Sequence, residues 1–168
     1  MTSKRKSKTS LILTGIFPAQ INNDYRGHPV ALLLFIPLTL VTITRSLIHI
    51  FKDDGGAQAI ATIPLDTYPS AAAQTIVTIF GLWGLAQLGL GLFYSVVTLR
   101  YRTLLPCMYL LVFFEYMSRH LFILCHPIET TGIAPGGVIN LYIAPAALVL
   151  MFLALPKRQQ QEIHYDSN

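Results

Sequence analysis

Apolar positions along this chain gather into four long blocks, at about residues 29–51, 71–99, 103–125 and 138–155, with short polar segments between them. A helix needs about 20 apolar residues to cross a hydrocarbon core of about 30 Å, and each block is near that length. None shows the strict alternation of a half-buried strand. The pattern predicts an all-α membrane protein, a four-transmembrane-helix bundle built from two similar helix–loop–helix hairpins in a parallel repeat. Residues 1–28 read as a basic tail plus an interfacial segment, 29–155 as the transmembrane domain, and 156–168 as a polar tail.

Punctuation supports these limits. Pro29 suits a first helical turn, where its missing N–H is not needed, and Lys52-Asp53-Asp54-Gly55-Gly56 supplies turn chemistry after the first block. Pro37 should bend that block, with nearby threonines helping to satisfy the freed backbone. In the first loop, Ala57–Ile63 is apolar enough to lie against the bundle. Arg100-Tyr101-Arg102 is so short a connection that the second and third helices must form an antiparallel hairpin. Gly81, Gly84, Leu88, Gly91 and Ser95 fall on one stripe of the second helix. Small residues of this kind let membrane helices approach closely, so the stripe should face a neighbouring helix or, in an oligomer, another copy. Ahead of the first block, the apolar run Ser10–Phe17 follows a basic start. It is short and lacks a small-residue cleavage site, which predicts a surface-lying segment rather than a signal peptide.

Charge sets an orientation. Lys4, Arg5, Lys6, Lys8 and Arg26 precede the first helix, Arg100 and Arg102 fill the second loop, and Lys157 and Arg158 follow the fourth helix. The first and third loops together hold one lysine and no arginine. The positive-inside rule then places both termini in the cytoplasm and loops one and three outside, in a bacterial inner membrane. Of the 168 residues 53% are hydrophobic and 12% charged, about half the charged share of soluble domains. The net charge of +4 is explained by topology, and no nucleic-acid-binding motif occurs.

Two pairs of motifs recur in the same order. Thr44-Arg45-Ser46-Leu47 is followed by Pro64-Leu65-Asp66-Thr67, and Ser118-Arg119-His120-Leu121 by Pro127-Ile128-Glu129-Thr130. Each arginine lies in the outer half of an apolar block, where an unpaired cation facing lipid is costly. Each should turn inward and meet an anion. Asp66 and Glu129 are the symmetric candidates from the loops. Glu115, four residues before Arg119 and on the same helix face, is the intramembrane candidate.

These residues permit a structural and a functional reading. Either the pairs pin the outer loops onto the bundle, or Arg45, His49, Asp66, Glu115, Arg119, His120 and Glu129 belong to an outward-facing polar site. Within the second reading, Glu115 and His120 could act as acid and base on a lipid-like substrate, and His49 with His120 could ligate a haem between helices. Trp83, Tyr94 and Tyr142 read as packing and interface residues. Cys107 and Cys125 lie at opposite ends of one helix, roughly 27 Å apart, beyond disulfide reach. Cys125-His126 is the remaining candidate for metal or redox chemistry. Zinc spacings, phosphate loops and nucleophile motifs do not occur.

Across residues 75–125, the pattern Gly81-Leu82-Trp83-Gly84, Gly89-Leu90-Gly91, Arg100 and Arg119 resembles the DoxX-like group of small four-helix bacterial membrane proteins. The resemblance implies a four-helix fold in the inner membrane and an accessory role beside thiol, sulfur or quinone redox systems. This chain has no cysteine pair for a direct redox role. The expectation from sequence is therefore a binding or accessory subunit for a membrane partner or a small amphipathic or anionic ligand. A membrane enzyme and a small oligomeric transporter are the alternatives.

Overall fold

The computed structural model describes residues 8–157, with side chains from Ile12 onward. Lys4, Arg5, Lys6 and Arg158, used above for topology, lie outside the described residues. A short helix α1 (Lys8–Ile16) precedes α2 (Pro29–Phe51), α3 (Ser70–Arg100), α4 (Leu105–Cys125) and α5 (Pro135–Ala154). Single 3-10 turns stand at Leu65–Thr67 and Arg102–Leu104. Among the described residues there is no strand, and α2 to α5 are each long and apolar enough to cross a membrane.

Local chemistry sets the ends. His28 caps α2, its Nδ1 accepting from the Val30 amide at 3.2 Å, with Pro29 in the first turn. Pro135 likewise stands in the first turn of α5, which has no side-chain cap. α5 starts earlier than the apolar block suggests because Gly136 and Gly137 are taken into its first turn rather than left as loop.

Beside an apolar core, the long helices also expose large apolar residues and bury several polar ones. Large apolar side chains such as Leu33, Leu40, Leu82, Leu99 and Phe122 face outward, while Thr39, Thr42, Ser46, His49, Gln87 and Asn140 are buried. Soluble proteins bury the first kind and expose the second. A hydrocarbon surround removes the reason to hide leucine and penalises unpaired polar groups. The buried stripe of α2 recurs every three or four residues, at Ala31, Phe35, Thr39, Thr42, Ser46 and His49. Its hydroxyls donate to carbonyls one turn back: Thr39 to Phe35 at 2.8 Å, Thr42 to Leu38 at 2.9 Å and Ser46 to Thr42 at 2.7 Å.

The helices pack as two close pairs, α2 with α3 and α4 with α5, and the pairs meet more loosely. Within the first pair the glycine stripe lies against α2. A Cβ on Gly84 would stand 2.8 Å from the His49 Cβ and 3.0 Å from the Ser46 carbonyl oxygen. On Gly91 it would stand 2.8 Å from the Ile43 Cγ1. Gly81 is looser, its nearest neighbour at 3.8 Å. The stripe is therefore used inside the chain, and the expectation that it could join copies into an oligomer is corrected: α2 already occupies it.

The two ends of the bundle differ. At the end bearing Arg26, Arg100, Arg102 and Lys157, the four helices close on a core of Phe35, Tyr94, Tyr109, Met108, Leu105 and Met151. Phe35 meets Tyr94 and Tyr109 edge-on at 5.2 and 5.1 Å, and the Tyr109 hydroxyl donates to the Ala31 carbonyl at 2.6 Å. Helix α1 lies at this end, with Gly15 against Leu155 and Pro156. Toward the other end the helices part. There the first loop folds back, burying Ala57, Ile63 and Leu65 against Ile76, Val77 and Phe80 of α3, as its apolar sequence predicts. The first and third loops are joined directly. The Thr131 amide donates to the Thr62 carbonyl at 2.9 Å, and the Thr62 hydroxyl donates to the Gly132 carbonyl at 3.0 Å. Thr62 holds a φ of 59°, unusual for a β-branched residue, and these bonds keep it there.

Candidate functional site

Where the helices part, they enclose a cavity of about 950 Å³. Its walls come from all four long helices and from the first and third loops. Most of the lining is apolar, including Phe80, Trp83, Phe122, Leu124, Ile133 and Val138. Five polar side chains line it: Arg45 and His49 from α2, Arg119 from α4, Asn140 from α5 and Thr130 from the loop between α4 and α5. Several of the apolar walls, among them Phe122, Leu124 and Ile133, are exposed, so the cavity is open along an apolar edge.

The two arginines are held by one relay. Gln87 of α3 accepts with its Oε1 from Arg45 Nε at 3.2 Å and Nη2 at 3.0 Å. Its Nε2 donates to Glu115 Oε1 at 3.0 Å, and Arg119 Nη2 donates to that same oxygen. The reversed amide would set an NH2 against a guanidinium, so the neighbours fix which way Gln87 points. Trp83 and Tyr116 add their ring faces. The Arg45 guanidinium lies 5.6 Å from the Trp83 ring centre and 5.9 Å from that of Tyr116, and for Arg119 the distances are 5.2 and 4.9 Å. Two cations thus share two aromatic faces and one carboxylate, which leaves this cluster with a surplus of one positive charge.

His49 is oriented from the loop. Gly55 and Gly56 take φ of 58° and 75°, a backbone that glycine adopts without a Cβ clash, and the turn brings the Gly55 carbonyl to 2.7 Å from His49 Nδ1. A carbonyl only accepts, so Nδ1 carries the proton, and in the neutral ring Nε2 carries the lone pair. The ring stacks on Trp83 at 4.7 Å and meets Phe80 edge-on at 5.5 Å. His49 Nε2, Arg119 Nη1 and Asn140 Oδ1 are all buried and have no hydrogen-bond partner. Orphaned buried polar atoms are uncommon and costly, and these three belong to side chains lining one cavity.

The predicted site residues divide clearly. Arg45, His49, Glu115 and Arg119 come together. Asp66 does not join them: it sits exposed in the 3-10 turn and makes no ion pair among the described residues. Glu129 lines a separate cleft of about 260 Å³ with Ile63, Tyr68 and Ile128. The symmetric loop pairing is therefore corrected. Arg45 is served by an amide, and Arg119 by the carboxylate one turn earlier on its own helix, because the loops bury apolar residues on α3 instead of turning acids inward. His120 lies outside the cavity, as does Glu115, which is already engaged. Neither Glu115 nor His120 lines the cavity, so the structure gives that acid–base pair no shared pocket, and His120 does not join His49 in the lining as a second haem ligand would. Cys125 is exposed and Cys107 half-buried, both as free thiols.

Three residues of the site go beyond the sequence candidates. Gln87 and Asn140 are amides deep inside apolar runs, a signal as informative as an intramembrane charge. Trp83 is more than packing, since it floors both arginines and His49. Comparison of the chain with protein-family models, with curated proteins and with solved structures finds no match.

Proposed function

We propose that this chain is a multi-pass membrane protein that binds a single amphipathic anion in the outer half of its bundle. One observation carries the reading: an apolar cavity of about 950 Å³ in which Arg45, Arg119, His49 and Asn140 converge. Ligand sites combine an apolar body with a few placed polar groups. Here the surplus positive charge and the unused Arg119 Nη1 suit an anionic head, and the apolar walls suit a hydrocarbon body. The orientation proposed with it keeps the arginine-bearing end of the bundle in the cytoplasm and the cavity outside, in a bacterial inner membrane. The loops at the opposite end, with Lys52 and no arginine, agree with that sense. Two similar hairpins and kinship with the DoxX-like group, carried by Gly81, Trp83, Gly84, Gly91 and Arg119, belong to the same proposal.

Trp83 is the chain's one tryptophan and lies in the cavity wall, so its emission reports occupancy. The test uses the protein in phosphatidylcholine nanodiscs, titrated with hexadecyl sulfate and, separately, with hexadecanol. Saturable change with the sulfate ester, weakened about tenfold or more by Arg119→Met, is expected. An equal response to the neutral alcohol, or no response to either, overturns the reading.

A further inference from the structure

The unpartnered atoms define the ligand head more narrowly than its charge does. His49 is 5% exposed and Asn140 2% exposed. Both are thus more than nine-tenths buried, on different helices, and both line the cavity. The Asn140 amide can turn to donate or accept. His49 cannot choose, because the Gly55 carbonyl holds its Nδ1–H and Nε2 is left as an acceptor in the neutral ring. While the ring stays neutral, an anion that only accepts, such as a carboxylate or a sulfate ester, satisfies the arginines and leaves Nε2 facing another lone pair. A head that brings its own proton satisfies both. A phosphate monoester does so: its second ionisation falls at about pH 6, close to that of imidazole. One proton can then lie between a phosphate oxygen and Nε2, on either atom, while the remaining oxygens accept from the arginines.

We infer that the head group this site takes is the phosphate monoester of a long-chain lipid, held by Arg45 and Arg119 through its anionic oxygens and by His49 Nε2 through a shared proton. This rests on the amphipathic-anion reading above, and the test separates the two. Hexadecyl phosphate and hexadecyl sulfate have the same chain and a tetrahedral head, but only the phosphate has an ionisation near neutral pH and so a proton to share. In nanodiscs at pH 7, with Trp83 emission as readout, the phosphate should bind about tenfold or more tightly than the sulfate. In His49→Phe, which keeps a ring to stack on Trp83, that ratio should fall toward one. His49→Leu serves as a second variant, so a folding defect in one does not decide the matter. No preference in the wild type, or a preference that survives in both variants and so comes from charge alone, overturns the inference while leaving the anion reading intact if the sulfate still binds. Inorganic phosphate competing as well as hexadecyl phosphate overturns the lipid part.

Discussion

Gln87 shows how much one side chain decides. It is the shared partner that lets two like-charged guanidiniums sit beside one carboxylate, since it gives an oxygen to Arg45 and an N–H to Glu115. Glutamate at this position would bond Arg45 but repel Glu115, and lysine would do the reverse. The glycines are as specific. Gly84 lies where an added Cβ meets α2 atoms that cannot swing away, at 2.8 and 3.0 Å, whereas at Gly81 the nearest neighbour is 3.8 Å off. Gly84→Ala is therefore expected to lose about 1–3 kcal/mol from forced separation of α2 and α3. Gly81→Ala is expected to hold stability or gain about 0.5–1 kcal/mol from reduced unfolded-chain freedom. Thermal unfolding of both variants in one detergent checks the contrast, and equal losses would mean that the close approach at Gly84 is not what sets the spacing.

At the scale of elements, the turn after α2 links the first loop to the site. Asp54 accepts from the Gly56 amide at 2.9 Å and the Ala59 amide at 2.7 Å and pairs with Lys52 at 3.3 Å. Burial pushes its carboxyl up, but the Ala59 and Gly56 amides and Lys52 outweigh it and hold the pKa below the usual aspartate range. A carboxyl whose pKa is depressed by folding stabilises the fold above its unfolded value, about 3.9, and that contribution disappears as pH falls through the folded value. Acidification below about pH 4 should thus loosen the 54–59 turn and, through Gly55, free the His49 ring. Hydrogen exchange at the Gly56 and Ala59 amides should accelerate with falling pH beyond the intrinsic trend, and Asp54→Asn should remove that extra dependence. A pH response unchanged in Asp54→Asn would assign it to another group.

At the scale of the whole molecule, one end is closed by aromatic packing and the other is kept open. Phe35, Tyr94 and Tyr109 fill the space between helices at the first end, while at the other the loops cover the cavity and are joined through Thr62, Thr131 and Gly132. The proposed orientation puts exposed Cys125 at the outer face and half-buried Cys107 toward the inner one. In intact spheroplasts of a Cys107→Ser background, a membrane-impermeant maleimide should label Cys125. Labelling only after the membrane is opened would invert the topology and place the cavity in the cytoplasm.

Several features were legible without coordinates because they are local. Helix lengths, the Pro29 start, the Asp54-Gly55-Gly56 turn, the glycine stripe and the i, i+4 pair of Glu115 with Arg119 each depend on residues close in the chain. Hydropathy alone made four spans the economical solution, since about 20 apolar residues in a row leave few others. The tertiary structure decided what distance along the chain conceals: that Arg45 meets Gln87 rather than Asp66, that Glu129 turns to a different cleft, and that Asn140 joins His49 across the cavity. Motif recurrence suggested symmetry, but partner choice follows from which side chains the packed helices bring within about 3 Å, and in this fold the first loop buries its apolar residues and leaves Asp66 exposed, away from the arginines.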